Sequence, residues 1–122
     1  MKVLLDTHCL IKLVLDEKLS SRVRKLILEA TELIISPISA WEIAMLEKLG
    51  YIELDRPALN WYTSALLERR VRQVDLSPEI LMDSVFLDWT HRDPADRIIV
   101  ATALNQDAVI ATEDAQMLKY LG

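Results

Sequence analysis

The chain has 122 residues, 52% of them hydrophobic, and a formal net charge of -5 at pH 7. This size and apolar content predict one domain over residues 1–122 with its own core, and so few glycines and prolines argue against a disordered or repeat protein. The single cysteine excludes an intrachain disulfide and a multi-cysteine zinc site. The sequence contains no long apolar run, so we expect a cytoplasmic protein that does not enter a membrane.

The first half of the chain alternates two kinds of segment. Short apolar runs are typical of buried strands, and longer segments with apolar residues at helical spacing are typical of amphipathic helices. Strands are predicted at 2–6 and 32–36, and helices at 7–16, 20–30 and 39–50. The third helix ends at Gly50, a residue favoured just after a helix.

The second half continues the alternation. Helices are predicted over 57–70, from Pro78 to about Trp89, from Pro94 through the apolar run 97–104, and over 113–121. A clear strand is predicted at 107–112, and a short one within 71–76.

Strands that alternate with helices and are apolar along their whole length are typical of a parallel sheet covered on both faces. We therefore predict an α/β fold, a three-layer α/β/α sandwich with a central parallel sheet. Open sheets of this kind bind ligands beyond the carboxyl ends of their strands. Side chains just after the predicted strands are thus the first candidates for a functional site.

Four acids from distant parts of the chain are predicted to meet at this edge. Asp6 ends the first strand, Asp114 lies two residues past the last, and Glu42 and Asp96 occupy the first turns of helices. An unpaired carboxylate buried at Asp6 is energetically costly, and a bound cation would remove that cost. Carboxylates without a cysteine or histidine cluster suit Mg²⁺ or Mn²⁺.

Each acid also has a purely structural interpretation. Ser39 and Glu42 have the spacing of a capping box. Asp114 is placed to cap the last helix, and Asp6 can accept a hydrogen bond from the backbone that follows it. Taken singly, these interpretations are favoured; taken together, the four acids favour a metal site.

The stretch RDPADR at 92–97 has both interpretations in one motif. Asp93 suits a helix cap, Pro94 the first helical position and Asp96 the first turn. Two alternatives stay open for Asp93: it joins the acid cluster, or it only caps the helix. Nearby polar side chains are candidate accessory residues: Thr7, Thr112 and Arg97, with His8 and His91 as candidates for proton transfer or phosphate contact.

Four ordered blocks resemble the PIN domain, in the single-domain form of VapC-type toxins of toxin-antitoxin pairs. The blocks are LLDTH, SPISAWEIAMLEKLG, HRDPADRIIVATAL and VIATED. The resemblance implies an α/β/α fold and a Mg²⁺- or Mn²⁺-dependent endoribonuclease site at Asp6, Glu42, Asp96 and Asp114. It also implies an RNA substrate, a cognate antitoxin protein as partner, and a homodimer.

The chain departs modestly from the toxin pattern. Glu113 replaces a residue that is more often basic or an amide, and its charge is expected to weaken substrate approach. Trp41, Trp61 and Tyr62 are candidate interface or groove residues, with core packing as the alternative.

The predicted function is hydrolysis of RNA phosphodiester bonds. Cations held by Asp6, Asp96 and Asp114 would neutralise the phosphate and activate a water, while Glu42 binds metal or orients that water. The alternatives are a housekeeping PIN nuclease, a catalytically silent PIN-like binding scaffold, and a phospho-acceptor domain. A phospho-acceptor site needs a lysine at the end of the last strand, which here reads VIAT.

Overall fold

A computed structural model describes residues 1–121 of the protein. Four strands occur in that part of the chain: β1 (Lys2–Leu5), β2 (Glu32–Ile35), β3 (Val71–Gln73) and β4 (Val109–Ala111). They form one sheet in the order β3-β2-β1-β4, and every pairing is parallel. In the register, Leu4 of β1 aligns with Ile34 of β2 on one side and with Ile110 of β4 on the other.

Seven helices connect and cover the strands within residues 1–121: α1 (Thr7–Val14), α2 (Ser21–Glu29), α3 (Ile38–Lys48), α4 (Ala58–Arg69), α5 (Pro78–Phe86), α6 (Pro94–Gln106) and α7 (Ala115–Leu121). Ser20 and Ser77 cap α2 and α5, each hydroxyl accepting from the backbone N–H of the third helical residue. Gly50 follows α3 at φ +81°, a conformation that glycine adopts without strain. None of these described helices is long and apolar enough to cross a membrane.

The sheet is covered on both faces, as predicted. Val3 and Leu5 of β1 contribute to the core on one face, and Leu4, between them, contributes to the core on the other. Helices α1 to α4 pack on the first face. Helices α6 and α7 pack on the second, and α5 packs against α6. The three-layer α/β/α sandwich is confirmed.

The chain order reverses direction at β1. From β1 the chain passes through β2 to β3, and it then returns to add β4 on the other side of β1. The helices of the two outward crossovers therefore cover one face, and those of the return crossover cover the other, as right-handed connections require. The carboxyl ends of β1 and β4 lie at this switch point, where open parallel sheets bind ligands.

Most helix boundaries differ from the sequence prediction by one to three residues, and three of these differences have a structural cause. Helix α3 begins one residue early, because Ile38 packs against the core of the second face. Helix α5 ends at Phe86, because carbonyls that follow it accept hydrogen bonds from Arg97 instead of continuing the helix. Helix α7 begins at Ala115, because Asp114 is its cap.

Candidate metal centre

A cavity of about 110 Å³ lies where β1 and β4 end at the carboxyl edge of the sheet. Its walls are formed by Asp6, Thr7, His8, Glu42, Asp93, Asp96, Ile99 and Asp114. The four acids expected from the sequence all line it, and Asp93 joins them, so that five carboxyl groups face one small space. No lysine or arginine of the described chain is among these wall residues.

Asp6 and Asp114 are connected through one hydroxyl. Asp6 is 5% exposed; its Oδ1 accepts from the backbone N–H of Cys9 at 2.8 Å, and its Oδ2 accepts from the hydroxyl of Thr112. The same hydroxyl accepts from the backbone N–H of Asp114 at 3.0 Å. Asp114 in turn caps α7, its Oδ1 accepting from the N–H of Met117 at 2.9 Å. Thr112 thus ties the acid after β1 to the acid after β4.

Glu42 is held by the buried hydroxyl of Thr7, which in turn contacts the buried hydroxyl of Ser39. Thr7 donates to Oε1 of Glu42, and its hydroxyl lies 2.8 Å from that of Ser39. The capping-box interpretation of Ser39 and Glu42 is wrong, because α3 begins at Ile38 and has no side-chain cap. Sequence reasoning therefore missed Ser39 as a support of the site. The available signal was its spacing from Glu42, since residues three apart share a helix face.

The start of α6 contributes Asp93 and Asp96. Oδ1 of Asp93 accepts from the backbone N–H of Ala95 at 2.9 Å, so this residue caps the helix and also lines the cavity. Oδ2 of Asp96 lies 2.7 Å from Nε2 of His91. The histidine named from the sequence therefore reaches the acid cluster from the loop before α6.

Burial, together with the neighbouring carboxylates, raises the pKa of two acids in the cavity. Burial raises the pKa of Glu42 most, the charges of neighbouring acids raise it further, and the hydrogen bond from Thr7 opposes them. The pKa of Asp96 is raised by burial first and then by neighbouring carboxylates, against its hydrogen bond to His91. Within the part of the chain that the structure describes, no lysine or arginine is among the wall residues, so a divalent cation would relieve this repulsion. The donor set of clustered carboxylate oxygens fits a hard ion such as Mg²⁺ or Mn²⁺.

Arg97, expected as an accessory residue, is not among the wall residues of this cavity. Its guanidinium donates to five backbone carbonyls, those of Ser84, Val85, Leu87, Trp89 and His91. Successive residues of a helix point about 100° apart, so Asp96 faces the cavity while Arg97 faces the segment between α5 and α6. Arg97 supports the site indirectly, by holding the loop that carries His91.

Glu113 lies beside the acid cluster but is engaged elsewhere. Its carboxylate accepts from Nζ of Lys12 at 2.7 Å and from the backbone N–H of Ser20 at 2.6 Å. The bond from Lys12 lowers the pKa of Glu113. This pairing offsets the charge that was expected to weaken substrate approach.

The remaining candidate residues differ in how far their side chains are exposed to solvent. Trp61 and Tyr62 are 5% and 6% exposed and belong to the core of the first face, as their alternative interpretation required. Trp41, beside Glu42 on α3, is 58% exposed. His8 is exposed and lines the cavity from α1.

Comparisons with known proteins agree with this geometry. The family model described as PIN domain matches residues 3–121. Ribonuclease VapC22 of Mycobacterium tuberculosis is 33% identical over 120 residues, which are 97% of this chain and 91% of that protein. A solved structure titled toxin-antitoxin complex from Klebsiella pneumoniae matches with a TM-score of 0.63 and 23% identity, over 95% of this chain and 89% of that one. At that identity, the structural likeness establishes the fold alone.

Proposed function

This chain belongs to the PIN-domain family, and on that basis we propose that it is a Mg²⁺- or Mn²⁺-dependent endoribonuclease. The observation that carries the proposal is the cavity itself: five carboxyl groups at the switch point of a parallel sheet, with no lysine or arginine among the wall residues of the described chain. The relative from Mycobacterium tuberculosis is named a ribonuclease, which supports RNA as the substrate.

Each residue of the cavity has a role in this proposal. Asp6, Asp96 and Asp114 hold the cation or cations, and Glu42 binds the cation or orients water. A divalent cation in such a site supplies positive charge to a scissile phosphate and lowers the pKa of its bound water. The protein contributes fixed ligand positions.

Those fixed positions come from hydroxyl groups behind the acids. Thr112 holds Asp6, and Thr7 holds Glu42, so that neither carboxylate has to be ordered when substrate binds. Asp93 contributes to the cavity's negative charge while it caps α6.

The cavity favours this activity over a phospho-acceptor function. A phospho-acceptor site requires a lysine near the acids, and the described wall residues include none. A silent binding scaffold is also less well supported, because such a protein has no need to keep five mutually repelling carboxyl groups in one cavity.

Partners follow from the same family relationship. We propose that the protein acts as the toxin of a toxin-antitoxin pair, with RNA as substrate, an antitoxin protein as inhibitor, and a homodimer as its assembly. The solved toxin-antitoxin complex with this fold supports such a partner. Growth arrest on expression, relieved by co-expression of an antitoxin protein, would support the toxin; expression without growth arrest would favour a housekeeping nuclease.

The first experiment is RNA cleavage by the purified protein with Mg²⁺, Mn²⁺ or EDTA. Asp6→Asn and Asp96→Asn should each lower the rate about 100-fold or more while circular dichroism remains unchanged. The matched control is Asp83→Asn, which removes the same charge from an exposed position on α5. Cleavage that persists in EDTA and in both cavity variants would show that the activity comes from a contaminant. A folded protein with neither cleavage nor metal binding would favour the scaffold.

A further inference from the structure

His8 lines the cavity from α1, and a second histidine, His91, contacts the acid cluster from the loop before α6 without being one of the wall residues. Nε2 of His91 is 2.7 Å from Oδ2 of Asp96. One ligand atom each from His91, Asp93 and Asp96 can be chosen so that all three lie within 4.8 Å of one another. Adjacent ligands of an octahedral ion lie about 3 Å apart when each is about 2.1 Å from the metal. Small side-chain rotations would therefore bring all three donors onto one ion.

The imidazole is fixed from behind. Its ring lies 4.8 Å from the ring of Trp89, which stacks at 4.7 Å on Tyr120 of α7. The backbone carbonyl of His91 accepts from Arg97 at 2.9 Å. These contacts restrain both the backbone and the ring, so that the side chain is held toward the acids before any ligand binds.

The two acids keep oxygen atoms for a cation. Asp93 uses Oδ1 for the cap of α6, and Asp96 uses Oδ2 for His91. The second oxygen of each carboxylate has no hydrogen-bond partner within residues 1–121. Both acids also line the same cavity as Asp6 and Asp114.

We propose that His91, Asp93 and Asp96 form a mixed nitrogen and oxygen site for a divalent transition metal at the edge of the cavity, and that His91 makes this site prefer Mn²⁺ over Mg²⁺. Imidazole is a ligand for first-row transition metals, whereas Mg²⁺ is bound through carboxylates, phosphates and water. This inference rests on the proposed function, because it assigns a further ligand to the same cavity.

The test is pulsed electron paramagnetic resonance of Mn²⁺ bound to the full chain without RNA. The sequence contains only two histidines, so a coupled imidazole nitrogen must belong to His8 or His91. His8→Gln is the matched control, because His8 lines the same cavity from α1. We expect the imidazole signal in the wild type and in His8→Gln, and its loss in His91→Gln. Mn²⁺ affinity should fall about 10- to 100-fold in His91→Gln, with a smaller change for Mg²⁺.

A second variant guards against loss of folding. His91→Phe keeps a ring for Trp89 to stack on while it removes both nitrogens, so it should show the same loss of signal and affinity. Bound Mn²⁺ without an imidazole signal in the wild type, or a signal that disappears only in His8→Gln, would overturn this inference and leave the nuclease proposal intact. A wild-type protein that binds no Mn²⁺ or Mg²⁺ would overturn both.

Discussion

Replacing Arg97 with alanine should lower the free energy of unfolding by about 4 kcal/mol. The guanidinium makes five hydrogen bonds to backbone carbonyls, at 2.6 Å for the shortest and 3.1 Å for the longest. A hydrogen bond contributes about 1 kcal/mol net. The bond to Val85 is exposed, so water can replace it, whereas the other four are partly buried. Four bonds at about 1 kcal/mol each account for the expected loss, which is a large part of a typical domain's 5–15 kcal/mol.

Urea unfolding followed by circular dichroism measures this change as a lower midpoint at an unchanged slope. Arg92→Ala is the matched control, because it removes the same charge from an exposed side chain of the same segment and should change stability by less than about 0.5 kcal/mol. Arg97→Lys should be intermediate, since one ammonium group cannot reach carbonyls spread over eight residues. If the free energies of unfolding of Arg97→Ala and Arg92→Ala differ by less than about 1 kcal/mol, the assigned contribution of these hydrogen bonds is wrong. Such a result would mean that water satisfies the carbonyls equally well.

Three further predictions concern the cavity and its supports. Burial raises the pKa of Glu42 in the folded, metal-free protein, so folding takes up protons. Stability in EDTA should therefore rise as pH falls toward the ordinary pKa of 4.5. Glu42→Gln should raise the melting temperature by a few degrees, whereas a decrease would contradict this sign. Glu113→Ala should lower the free energy of unfolding by about 1 kcal/mol, measured by thermal unfolding. The loss should exceed that of Lys12→Met, because Glu113→Ala also removes the acceptor for the backbone N–H of Ser20. Equal losses in the two variants would show that only the ion pair contributes. Thr7→Val should slow RNA cleavage about 10-fold in kinetic assays, because it removes the hydroxyl that bonds to Glu42. Thr7→Ser keeps the hydroxyl and should keep the rate. An unchanged rate in Thr7→Val would show that Glu42 needs no positioning by Thr7.

The fold and the place of the site could be predicted because the strands are apolar and short. Asp6 directly follows such a run, so its side chain had to emerge at the carboxyl end of β1. Asp114 follows the end of β4 after Thr112 and Glu113, and β4 pairs with β1 in parallel. Parallel strands end at a common edge, and for this reason two acids 108 positions apart in sequence line one cavity.

The supporting contacts could not be predicted, because they depend on where helices begin and in which direction side chains point. A start of α3 at Ala40, two residues later, would have made Ser39 a cap. Instead α3 begins at Ile38, which packs against the core, and Ser39 lies against Thr7. The sequence predicts Arg97 as an accessory residue of the site, next to Asp96. Neighbouring residues of a helix point in directions about 100° apart, so Arg97 cannot face the cavity together with Asp96. The five carbonyls that Arg97 contacts can be identified only from the fold.

Capping and metal binding are compatible in this cavity because a carboxylate has two oxygens. Asp93 and Asp114 each use Oδ1 for a backbone N–H at the start of a helix, which orients the group and leaves Oδ2 directed elsewhere. A helix start also favours nearby negative charge, so capping and clustering of the acids do not oppose each other. Asp6 caps α1 in the same way, but its second oxygen already accepts a hydrogen bond from Thr112. When a metal binds, that oxygen must either serve both Thr112 and the metal or give up the hydrogen bond. Asp6 should therefore be the most tightly positioned of the three caps, and its conversion to asparagine the most damaging to metal affinity.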